Sequence, residues 1–148
     1  MQRGHKGMLK LLVAVCAITM FHQYASAQDY ITLTKGGGVT GNTTVFRIST
    51  SGEVAKGGGS VDPTFSEFAH LRKGKTRKYF RKTRALMKAE TFNHPGNTYT
   101  AIALVEAGKE GKLVWGDVAH ATPVEAEALY QKIQDALNRL TFRKDLRK

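Results

Sequence analysis

The sequence predicts an α+β domain: an antiparallel sheet from two β-hairpins, covered on one side by two or three helices, in the order hairpin, helices, hairpin, helix. Three observations predict it. Apolar residues alternate at period two over residues 30–35, 44–50 and 99–106, and glycine-rich turns follow the first and last of these runs. Apolar residues recur at the helical period over residues 77–90 and 122–140. No strand, helix, strand succession carries the pattern of a crossover, so nothing asks for parallel pairing.

In the first run Ile31 and Leu33 alternate with Thr32 and Thr34, and in the second Phe46 and Ile48 alternate with Val45, Arg47 and Ser49. Between them, residues 36–42 are rich enough in glycine to turn the chain through positive φ, which predicts a hairpin. Ser51-Gly52 makes a second turn into Glu53-Val54-Ala55, and Gly57-Gly58-Gly59-Ser60 has the composition of a flexible connector. Asp62-Pro63-Thr64 followed by Glu67 carries N-cap, first-turn proline and capping-box signals. A short helix is expected there, packed through Phe65, Phe68 and Leu71 and stopped by Gly74.

On a wheel over residues 77–90, Tyr79, Phe80, Leu86 and Met87 share one face. The break at residues 93–97 leads into the strand over 99–106, which is apolar on both faces. A turn over 108–111 and the apolar Leu113-Val114-Trp115 complete the second hairpin. Thr122-Pro123-Val124-Glu125 then sets an N-cap, a first-turn proline and a capping acid. Ala126, Leu129, Tyr130, Ile133, Ala136, Leu137 and Leu140 line the buried side of the helix it opens.

The 148 residues suffice for one domain, and 41% hydrophobic with 24% charged residues is ordinary globular usage. That balance excludes a disordered chain, a multi-span membrane protein, a collagen, a disulfide scaffold and a large cofactor enzyme. At the N-terminus Arg3, Lys6 and Lys10 lead into the apolar residues 11–18, which end at Ala25-Ser26-Ala27. This is the pattern of a secretory signal peptide over residues 1–27, ahead of a single exported domain over 28–148. An uncleaved anchor is the alternative, and bulky Val15 disfavours a lipoprotein reading of Cys16.

Cleavage removes three of the 23 basic residues, none of the 12 acids and the only cysteine, and leaves a net charge of +8. Disulfides, thiol catalysis and thiolate metal sites leave with Cys16. The expected compartment is periplasmic or extracellular, in a bacterial host.

Little in the sequence points to catalysis. Gly36, Gly38 and Gly41 match G-x-G-x-x-G, but they lead into another strand and no helix follows to hold a phosphate. Ser60 lacks the second glycine and the strand-to-helix turn of a nucleophile elbow. His70, His94 and His120 show no i, i+4 pair and no acid at ligand spacing, which predicts no metal site. The 12 acids select no acid–base pair by spacing. The expectation is a protein with no catalytic residue, no metal and no cofactor.

The largest compositional anomaly runs from residue 72 to 88, with nine basic residues and no acid between Glu67 and Glu90. Arg77, Arg81, Arg84 and Lys88 form a stripe opposite the apolar face of the predicted helix. Such a stripe serves either as a solvated, solubilising face or as a binding surface for an anionic glycan, a lipid headgroup or an acidic protein. Export argues against intracellular nucleic acid as the partner.

The glycine turn Gly36-Gly37-Gly38-Val39-Thr40-Gly41 between two strands, the segment Phe92-Asn93-His94-Pro95-Gly96-Asn97-Thr98-Tyr99 entering another, and a proline-started final helix together resemble emfourin-type inhibitors of thermolysin-like metallopeptidases. The resemblance covers most of residues 28–148 in element order, but in residues only the glycine turn. Val39-Thr40 stands where that family tends to have Phe-Ala. It implies a protein that blocks an exported protease by surface contact, with no cofactor or chemistry of its own. Two functions therefore stand in order: a protein-binding module of protease-inhibitor type acting through the glycine hairpin, and an adhesion module acting through the basic stripe.

Overall fold

The computed structural model describes residues 28–39, 41–59 and 63–144. The predicted signal peptide, Thr40 of the glycine hairpin, Ser60 and Asp62 lie outside the described residues. Seven strands and two helices follow one another as β1 (Tyr30–Gly37), β2 (Thr43–Ser49), β3 (Glu53–Gly59), β4 (Thr64–His70), α1 (Lys73–Ala89), β5 (Thr98–Glu106), β6 (Lys109–Trp115), α2 (Val124–Asn138) and β7 (Arg143–Lys144). They form one mixed α+β domain.

The strands make a single antiparallel sheet in the order β6-β5-β1-β2-β3-β4-β7. β1 to β4 are a meander, and the β5–β6 hairpin returns to the free edge of β1. Register puts Ile31 opposite both Ile48 and Leu104, and Leu33 opposite both Phe46 and Ile102, so one apolar row crosses three strands. Because side chains alternate along a strand, a one-residue slip would turn that row to the other face.

Both helices cover this row. Tyr79, Phe80 and Leu86 of α1 and Ala126, Leu129, Tyr130, Ile133 and Leu137 of α2 are buried against Ile31, Leu33, Phe46, Ile48, Ile102, Leu104, Leu113 and Trp115. Each large apolar side chain so buried contributes about 1.5–3 kcal/mol. The Trp115 indole meets the Tyr130 ring edge-on at 5.8 Å, and its Nε1–H donates to the Glu127 carboxylate at 2.6 Å, so the one polar atom of the indole is satisfied where α2 begins. On the opposite face, small and polar residues dominate. There the Arg47 guanidinium lies over the rings of Tyr30 at 4.7 Å and Phe65 at 4.4 Å.

Four expectations are corrected. Gly57-Gly58-Gly59 is no connector: it is the second half of β3, paired with Thr43, Thr44 and Val45 of β2 and, through Gly57 and Gly58, with β4. A side chain at Gly57 would run into the Thr64 carbonyl, so the missing Cβ lets β4 approach at a bulge between Lys56 and Gly57. The short helix expected from Asp62 is the strand β4, because an adjacent β3 edge supplies hydrogen bonds that outweigh local capping signals. Glu67, read as a capping acid, instead makes a cross-strand ion pair with Lys56 at 2.8 Å. Gly74 does not stop a helix; it lies in the first turn of α1.

The start of α2 differs in detail. Pro123 occupies the N-cap position without a side-chain cap bond, so Thr122 and Glu125 do not form the expected box. Glu125 and Glu127 still place acid at the positive end of the helix.

Candidate functional site

Antiparallel pairing gathers three loops at one end of the sheet. β1, β3 and β6 finish there, and β2, β4 and β5 begin there, so the glycine hairpin, residues 93–97 and the segment after Trp115 are neighbours. In the hairpin, Gly37 and Gly38 have φ of +99° and +79°, and a side chain at Gly37 would collide with the Asn97 carbonyl. The Gly38 amide donates to that same carbonyl at 2.7 Å, and the Gly41 amide donates to Gly38 at 3.1 Å. Glycine is needed here for both conformation and close approach. The turn is thereby tied to the β5 side of the sheet, and it presents Val39 fully to solvent, at 105% exposure.

Two more large apolar side chains stand out of the same end: Val118, 103% exposed in the segment after β6, and Val124, 81% exposed at the start of α2. Val39 and Val118 leave strands two places apart in the sheet, a lateral spacing of about 10 Å. Their exposure decides the character of this end, because large aliphatic side chains elsewhere in the described residues are at least partly covered.

The same loops hold a cluster that sequence reasoning missed. His94, Asp117 and His120 bring one ligand atom each to within 4.8 Å of one another. The His120 Nδ1 lies 2.8 Å from Asp117 Oδ2, and Asp117 Oδ1 accepts the Ala119 amide at 3.0 Å. The Ala119 amide first, and His120 second, hold the Asp117 carboxyl below the usual carboxylate range. The expectation that no acid stands beside a histidine is therefore corrected. Asp117 precedes His120 by three residues, and that spacing was the available signal. The partnership with His94 is tertiary and had none.

The predicted stripe lies elsewhere, on the solvent side of α1. Arg77, Arg81, Arg84 and Lys88 are all exposed, opposite the buried Tyr79, Phe80 and Leu86. Arg84 does not belong to an open patch: its guanidinium makes two hydrogen bonds with the Glu106 carboxylate at the end of β5, which raises its pKa. Arg77, Arg81 and Lys88 have no carboxylate partner among the described residues. The structure thus separates the two predicted patches, the glycine hairpin at the sheet end and the stripe on the helix layer. Between the helices runs an open groove of about 580 Å³, floored by Ala85, Leu86, Ala89, Ala128 and Leu129 and flanked by Lys82, Lys132 and Glu125.

What fold and site define is an antiparallel sheet under two helices with an apolar, loop-built end. Compared with known proteins, the chain matches no family model, and no curated sequence is significantly similar to it.

Proposed function

We propose that this chain is an exported, non-enzymatic binding module that engages an exported protein, in its sharpest form a protease, through the loop end of its sheet. One observation carries the reading: Val39 and Val118 stand exposed on neighbouring loops, with Val124 exposed at the start of α2, and the hairpin bearing Val39 is fixed by the Gly38–Asn97 hydrogen bond. Exposed aliphatic side chains lose water on contact, and a tip already held in shape loses little freedom on binding. The resemblance to emfourin-type inhibitors points the same way.

A second reading rests on its own observation. Eight of the nine basic residues between 72 and 88 have no carboxylate partner among the described residues, which suits an anionic glycan or a lipid surface.

Titrating the exported chain into a thermolysin-like protease and into an unrelated serine protease tests the first reading. Selective inhibition of the metallopeptidase, weakened by Val39→Asp and Val118→Asp, is the expected result. If no exported metallopeptidase of the host is inhibited at micromolar concentration, the metallopeptidase-inhibitor reading falls and a binding domain for another partner is left. Retention on heparin that falls in a variant with Arg77, Arg81 and Lys88 changed to Gln would then favour the second reading.

A further inference from the structure

We propose that His94, Asp117 and His120 form a binding site for a transition-metal dication of the Zn²⁺ or Ni²⁺ class, independent of the protein-binding role above. The donor set is two imidazoles and one carboxylate, which suits borderline metals better than Mg²⁺ or Ca²⁺, whose preferred ligands are all oxygen.

The backbone beneath the cluster is built rather than incidental. Residues 92–94 run alongside the end of β6: the Val114 amide donates to the Phe92 carbonyl and the His94 amide to the Val114 carbonyl, both at 2.9 Å. The Asp117 amide then donates to the His94 carbonyl at 3.1 Å, and the His120 amide to the Asp117 carbonyl at 3.2 Å. One continuous hydrogen-bonded path therefore fixes the Cα positions of all three ligands. It closes because Gly96 packs directly on the Gly116 carbonyl, where a side chain would collide.

The side chains are assembled but not yet converged. The imidazoles of His94 and His120 are stacked, with centroids 3.7 Å apart and planes 16° from parallel, and the His94 and Phe92 rings meet in a T-shaped arrangement with centroids 4.8 Å apart. A ring nitrogen donates its lone pair in the ring plane, so two nearly parallel rings cannot share one ion. Ligand atoms around a tetrahedral ion sit about 3.4 Å apart, against up to 4.8 Å here. The adjustment falls to His120, whose side chain is 45% exposed and is held only by Asp117 and by the stack. Metal binding requires that ring to leave the stack, which its exposure allows. Asp117, whose Oδ1 accepts the Ala119 amide, brings a carboxylate to the site in an otherwise basic protein. Three protein ligands leave coordination positions for water.

The test uses the exported chain without a histidine tag, stripped by chelator and titrated with Zn²⁺ and separately with Ni²⁺, read by calorimetry and by NMR of the imidazole C–H signals. The expected result is saturable uptake of one equivalent, with the His94 and His120 signals moving together while exposed His70 stays still. His120→Gln should weaken binding at least tenfold, Asp117→Asn by a similar factor, and His70→Gln not at all. His120 lies on the surface, so its variant decides the matter even if His94→Gln fails to fold. Binding that does not saturate, or that shifts His70 as much as His94, or that survives His120→Gln unchanged, would overturn the site. Because the readout is metal uptake, a failure here is distinct from a failure to inhibit a protease.

Discussion

The helix-covered face of the sheet and its loop end are made from the same strands and obey opposite rules. Under α1 and α2, Ile31, Leu33, Ile48, Ile102, Ile133 and Leu137 are completely buried, and each position is dictated by register and by the helical wheel. At the loop end, Val39 and Val118 are fully exposed, and backbone hydrogen bonds between loops do the organising. Stability is concentrated in the first region, where atoms are shielded from water on all sides. The second contributes little to stability and presents chemistry. Substitutions in the core should therefore move unfolding far more than binding, and substitutions of the exposed valines at the loop end should do the reverse.

The largest expected effect is in the core. Ile133→Ala removes a fully buried branched side chain from α2 and should lower the stability of the domain by about 2–5 kcal/mol in a denaturant titration. An effect below 1 kcal/mol would mean that α2 is not firmly docked. Next comes Gly37→Ala, which is strained in φ and collides with the Asn97 carbonyl. It should cost about 1–3 kcal/mol and loosen the tie between the hairpin and residues 93–97, visible as faster exchange of the Gly38 amide.

A smaller change of opposite sign is expected inside α1. Thr83 is fully buried and its hydroxyl has no hydrogen-bond partner among the described residues, so Thr83→Val should raise stability by about 1 kcal/mol. A loss on that substitution would show that the hydroxyl finds a partner in solution. The smallest stability effects belong to the surface. Val39→Asp and Val118→Asp should stay within about 0.5 kcal/mol of the parent while weakening protein binding. Glu106→Gln, which frees Arg84, should cost less than about 1 kcal/mol, because this ion pair is largely solvated. Measuring all six variants by the same unfolding titration would break the comparison if Val39→Asp or Val118→Asp moved stability as far as Ile133→Ala.

Legibility in the sequence follows a similar division. The strands around Ile31 and Phe46 and the helices around Phe80 and Ile133 were readable because burying one face imposes a period of 2 or 3.6 on the apolar residues, and the strand around Ile102, buried on both faces, was readable as an apolar run bounded by turns. β3 and β4 were not readable. Gly57 to Gly59 lack side chains to carry a pattern, and the capping signals near Pro63 are local contributions of about 1 kcal/mol, overcome by pairing along a whole strand edge. The hairpin glycines were visible as a turn, but their attachment to Asn97 was not. The stripe on α1 was visible, whereas the withdrawal of Arg84 to Glu106 depends on where β5 ends.

By itself the sequence determined the α+β class, the antiparallel sense, the faces of both helices and the basic excess, because these depend on the identity of residues within a turn or two of each other. Only the tertiary structure decided that the glycine run is a strand, that three valines share one end of the sheet, and that His94 meets Asp117 and His120. Those outcomes depend on strand order and register, which join separate segments such as Gly59 with Thr43 and Gly38 with Asn97 through backbone hydrogen bonds common to every residue type, and so leave little local pattern to read.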